Sequence, residues 1–98
     1  MAIQAFTFIN WKPEITTEQQ NDLLKRTRET TEKHGNKIVN YLFAPFGSEY
    51  ERVLVQEFPN YAAIDKLVEI PELAVLTQEL YEKTLNIYNM LLRTLPIP

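Results

Sequence analysis

The sequence predicts an α+β domain in which helices cover one face of an antiparallel sheet. The main evidence is an ordered pair of apolar-rich runs, Lys37 to Phe46 and Tyr50 to Phe58, around the short connection Pro45-Phe46-Gly47-Ser48-Glu49. A long, polar-faced helical pattern precedes this pair and a second helical region follows it. An aromatic and β-branched run, Ala2 to Trp11, opens the chain. At 98 residues the chain forms one domain, spanning 1–98.

The first strand is expected over Ile3 to Trp11 and ends before Pro13. Phe6 and Phe8 project to one side, Thr7, Ile9 and Trp11 to the other. Both faces are therefore largely apolar, and something must cover the second one.

Thr16 and Thr17 before Glu18, Gln19 and Gln20 give a capping-box start to the first helix. It should run to about Lys33, with Gly35 as the left-handed residue beyond its end. Asp22–Arg26 and Glu29–Lys33 are favourable i,i+4 pairs, each worth about 0.2–0.5 kcal/mol. The inward stripe is thin (Leu23, Leu24, Thr27, Thr30 and Thr31), so this helix depends on the sheet for its stability.

The two runs flanking Pro45 to Glu49 read as an antiparallel hairpin. Within the second run, Val53 and Val55 face one way and Arg52, Leu54 and Gln56 the other. The valine side is expected beneath the helices, the Arg52/Gln56 side against a polar pocket or a partner chain. Asn60 caps a short helix from Tyr61 to Glu69, which Pro71 ends while opening another from Glu72 to about Lys83. The segment 84–95 fits either an alternating strand or a helix. Topology favours a strand from about Asn86 to Thr94, since without it the first strand is left as an exposed apolar edge. The resulting order, strand-helix-strand-strand-helix-strand, is that of a ferredoxin-like domain.

Composition narrows the function classes. The net charge of −3 gives no electrostatic case for nucleic acid or an anionic membrane. The chain has no Cys, which excludes disulfides, thiol nucleophiles and thiolate metal sites. No apolar run is long enough to span a bilayer. Met1-Ala2-Ile3-Gln4 lacks the basic start of a signal peptide, and a cytoplasmic location is expected. His34 is the single histidine and belongs to the last turn of the first helix, where a cation suits the helix dipole. With one His and no Cys, no metal and no cofactor are expected.

Asn10, Trp11, Asn40, Tyr41, Arg52, Gln56, Tyr88 and Arg93 are polar or aromatic residues on or beside strands. All of them but Arg93 form the candidate ligand-binding set. The competing reading gives them interface hydrogen bonds, strand-end packing and core filling. RNA-recognition domains share the strand order, but the third strand here carries two glutamates and no Lys/Arg-Gly-Phe run, so nucleic acid is not expected.

Glu32-Lys33-His34-Gly35-Asn36-Lys37-Ile38 resembles the helix-to-strand turn of the dimeric α+β barrel superfamily. Gly47, Tyr50-Glu51 and Val53-Leu54-Val55-Gln56-Glu57-Phe58-Pro59-Asn60 are similar to the GYD-domain pattern, with Glu51 where that pattern has Asp and one residue inserted before it. Met90-Leu91-Leu92-Arg93-Thr94-Leu95 looks like the closing strand of such proteins. The resemblance implies two ferredoxin-like subunits whose sheets pair face to face into a barrel. The superfamily includes cofactor-independent antibiotic-biosynthesis monooxygenases, which use Asn, Trp, Tyr and Arg to hold an aromatic substrate. It also includes proteins without a known reaction, and fold does not choose among them. The expectation is a homodimer binding a small apolar or aromatic molecule in the barrel. A non-catalytic structural or regulatory dimerisation module is the alternative, and no motif decides whether the protein is an enzyme.

Overall fold

The computed structural model describes residues 2–43 and 49–97. Its elements are β1 (Ile3–Trp11), α1 (Thr17–Lys33), β2 (Lys37–Phe43), β3 (Arg52–Phe58), α2 (Tyr61–Asp65), a 3₁₀ turn (Lys66–Glu69), α3 (Pro71–Lys83) and β4 (Thr84–Arg93). The expected connection from Pro45 through Ser48, and the end of the strand expected to reach Phe46, lie outside the described residues. The chain closes on a strand, so 84–93 take the alternating reading. The sheet is antiparallel in the order β2-β3-β1-β4, which puts β1 and β3 at its centre.

Local chemistry sets the helix ends. Thr16 accepts from the Gln19 amide while Gln19 Oε1 accepts from the Thr16 amide, so the capping box forms in full. At the other end the Gly35 N–H donates to Glu32 O and the Asn36 N–H to Thr31 O, a Schellman arrangement with Gly35 at φ +83°. The Asp22–Arg26 pair forms at 2.8 Å. Glu29–Lys33 does not; Lys33 instead reaches Glu72 of α3 at 3.4 Å. Asn60 caps α2 and Pro71 opens α3.

Register decides which face the helices cover. Thr7 pairs with Leu54, Ile9 with Arg52 and Ala5 with Gln56, so these residues share one face with Ile3 and Trp11. The core lies there: Ile9, Trp11, Leu23 of α1 and Leu76 of α3 are buried together, with Leu24, Leu73, Leu80 and Ile87 packed against them. The helices therefore cover the Leu54/Gln56 side, and the expectation that they cover Val53 and Val55 is corrected. Both valines are nonetheless buried, which hid the assignment in a strand with apolar residues on both faces. Their neighbours on the open face are Phe6, Phe8 and the ring of Tyr50; Phe8 stacks on Phe6 and meets both Tyr50 and Tyr88 at a tilt.

Two register shifts interrupt the ladders: one in β2 between Ile38 and Asn40, the other between β1 and β4 at Asn10/Trp11.

Candidate functional site

A pocket of about 530 Å³ lies between the helix-covered face of the sheet and the helices. Its floor is Thr7 of β1, Leu54 and Gln56 of β3, and Ile87 and Asn89 of β4. These positions follow from period-two alternation: Leu54, Thr7 and Asn89 form one cross-strand row, and Gln56 stands one row along. Leu73, Leu76 and Leu80 of α3 form an apolar wall, and Thr27 and Thr31 of α1 complete it. Val68 and Tyr81 also line the pocket and are 87% and 49% exposed, so they stand at its mouth.

The polar groups of the floor are arranged in a definite way. The Thr7 hydroxyl, nearly buried, donates to Asn89 Oδ1 at 2.9 Å. That engages the oxygen of Asn89 and leaves its NH₂ as a donor. The Gln56 amide has no side-chain hydrogen-bond partner among the described residues. Among the described residues lining the pocket none is charged, and Tyr81 alone is titratable. The arrangement can hold an apolar body over a hydrogen-bonding floor. No pair of groups in it is set up for acid–base transfer.

The residues singled out in the sequence divide between two faces. Gln56 lies in the pocket. Trp11, Tyr41 and Arg52 share its face of the sheet but gather at another end. There the Trp11 indole N–H donates to the Tyr41 hydroxyl at 2.9 Å. Burial raises the Tyr41 phenol above its ordinary value, against the Trp11 hydrogen bond and the Arg52 charge, which lower it. Arg52 lies over the Phe43 ring, 4.6 Å from its centre, and donates to Glu51 O at 3.3 Å, so the guanidinium has partners within the chain.

Asn10, Asn40 and Tyr88 belong to the open face. Asn10 donates to Glu49 O and Asn86 Oδ1 and accepts from the Glu51 N–H, latching the start of β3 to β1. Tyr88 joins the ring cluster with Phe8 and Tyr50. Arg93, in the last row of β4, pairs with Ile3.

Sequence reasoning missed Thr7, Asn89 and the α3 wall. Thr7 and Asn89 look like ordinary strand residues. Only the β1–β4 register makes them neighbours, and no turn links those two strands.

Two smaller grooves lie beside the pocket. One, of about 480 Å³, lies beside the end of α1 and includes His34, Asn36, Asn60 and Lys66. The other, of about 420 Å³, runs between α1 and the β2 edge. Among the described residues no three His, Asp or Glu side chains converge as a metal site would, and no helix is long and apolar enough to cross a membrane.

No family model matches the sequence, and no curated protein matches it. Solved structures do. A dabb family protein with a ferredoxin-like fold from Mesorhizobium loti superposes with a TM-score of 0.80 at 12% identity, over 97% of this chain and 98% of that one. The fold of this chain is ferredoxin-like. The hydroxynitrile lyase of Passiflora edulis shares this ferredoxin-like fold at a TM-score of 0.77 and 10% identity, over 97% of both chains. A dimeric protein of unknown function from Bacteroides fragilis shares it at 0.63 and 12% identity, over 95% of this chain and 96% of that one. At such identities the likeness establishes fold alone.

Proposed function

We propose that the protein is a homodimer whose subunits each bind a small apolar or aromatic molecule between the sheet and the helices. The observation that carries this reading is the pocket itself: about 530 Å³, walled by leucines, with a few polar groups on its floor. That size and mixture are those of small-molecule sites. The pocket takes the place of the barrel interior as the ligand site, and of the sequence-derived set Gln56 is its ligand contact. Trp11, Tyr41 and Arg52 support the adjoining end of the sheet. Asn10, Asn40 and Tyr88 belong to the face that meets the second subunit.

The dimer rests on the open face. Leu42, Tyr88 and Leu92 are 46%, 51% and 47% exposed there, next to Phe6, Phe8, Val53 and Val55. A contiguous apolar sheet face of this kind is a liability in a lone subunit and an interface core in a pair. One neighbour of the same fold is a dimer and another is a lyase, which supports an assembling, substrate-holding scaffold without assigning a reaction.

Native mass spectrometry tests both parts. The expected spectrum shows two chains, with mass in excess where a ligand is retained, and aromatic compounds raise the melting temperature. A single-chain mass at micromolar concentration overturns the dimer. A screen in which no aromatic or apolar compound shifts melting or retained mass overturns the pocket reading.

A further inference from the structure

We infer that the pocket selects an uncharged ligand that accepts a hydrogen bond from Asn89 and exchanges one with Gln56, a carboxamide or similarly neutral carbonyl group on an apolar body. This rests on the pocket reading above and adds the chemical class of the ligand.

Charge is the first constraint on the ligand. No Asp, Glu, Lys, Arg or His lines the pocket among the described residues. Several charges on α1 and α3 are already engaged with one another. Arg26 of α1 holds Asp22 at 2.8 Å and Glu79 of α3 at 2.7 Å, Lys83 holds Glu79 at 2.8 Å, and Lys33 faces Glu72. A carboxylate or ammonium entering the pocket would shed water without gaining a counter-charge, and burying an unpaired ion is strongly unfavourable.

Hydrogen bonding supplies the positive half. With the Thr7 hydroxyl donating to Asn89 Oδ1, the Asn89 NH₂ is left to donate. The Gln56 amide, without a partner among the described residues, offers a donor and an acceptor. β1 lies between their strands, with Asn89 beside Thr7 and Gln56 beside Ala5 one row along, so the two amides approach from opposite sides of β1 and can both address a group lying over it. A neutral group that accepts and donates satisfies both. A ligand lacking such a group displaces water from these solvent-accessible amides without replacing its hydrogen bonds, which is a loss rather than a neutral event.

The test compares isosteres on the intact protein by ligand-observed NMR titration: 2-naphthamide, 2-naphthoate, 2-naphthylmethylamine and naphthalene. The expected result is that 2-naphthamide binds at least tenfold more tightly than the carboxylate and the amine. Gln56→Leu and Asn89→Leu should abolish that preference while retaining naphthalene binding, an outcome that general damage to the fold would not give. Circular dichroism identifies any variant that fails to fold. In that case Gln56→Glu replaces it and should reverse the preference toward the amine. Binding of naphthalene with no advantage for 2-naphthamide over 2-naphthoate overturns the inference and leaves the pocket standing. Failure of all four to bind overturns both.

Discussion

The Trp11 indole N–H donates to the Tyr41 hydroxyl at 2.9 Å, joining β1 to β2 across the intervening β3. Trp11 is 8% exposed and packs with Ile9, Leu23 and Leu76, so its indole nitrogen depends on Tyr41 for an acceptor.

Tyr41→Phe therefore removes the acceptor from a largely buried donor. The expected cost is about 1 kcal/mol of unfolding free energy. Trp11 is the only tryptophan in the chain, so its emission reports the site directly. Its emission maximum should shift in the folded variant and coincide with wild type in denaturant. Unchanged folded-state emission would mean that the bond does not form in solution.

The link between α1 and α3 predicts an acid-sensitive term. Glu79 takes two hydrogen bonds from Arg26 and one from Lys83, and these hold its carboxyl at about 2 rather than the usual 4.5, against a smaller opposing effect of burial. A depressed folded-state value means that the stabilisation is complete above about pH 4.5 and is lost as pH falls toward 2. Glu79→Gln should cost about 1 kcal/mol at pH 7 and flatten the stability curve across that window. Parallel acid-denaturation curves for the two proteins would show that the pair contributes nothing.

Gly35 gives a purely conformational prediction. Its φ of +83° lies in the left-handed region, while a Cβ built there meets nothing within 4 Å. Gly35→Ala should cost about 1 kcal/mol through backbone strain alone. Gly35→Asn should cost less, because Asn tolerates this region better. Chemical-denaturation midpoints ordered Gly, Asn, Ala from highest to lowest are the expected result. A midpoint for Ala equal to that of Gly contradicts it.

Much of the fold was legible because its signals are local. Thr16 with Gln19, Gly35, Asn60 and Pro71 each mark a helix end within a few residues, and apolar runs rich in aromatic and β-branched residues mark the strands Ile3–Trp11 and Arg52–Phe58. The site was less legible because it is set by register. Val53 and Leu54 are both buried, so hydrophobicity could not tell the helix-covered face from the open one. Pairing of Leu54 with Thr7 does so, and that is a contact between segments nearly fifty residues apart. Gln56 could be picked out as a polar residue in a central strand. Asn89, on an edge strand of ambiguous periodicity, could not.

The open face yields the prediction on assembly. Leu42 of β2 and Leu92 of β4 pair with Val53 and Gln4, which places both on the face without helices. They are 46% and 47% exposed in the subunit, so a charge at either position can reach water while the chain is alone. In the proposed dimer the same charge would be buried without a partner, at a cost of several kcal/mol. Leu42→Asp and Leu92→Asp should therefore leave the circular dichroism of the subunit intact while lowering the mass measured by light scattering from two chains to one. Leu54→Asp is the contrasting variant. It places a charge beneath the helices, where Leu54 is 4% exposed, and should unfold the subunit rather than separate the pair. If Leu42→Asp and Leu92→Asp both retain the wild-type mass at low micromolar concentration, the subunits do not meet through this face.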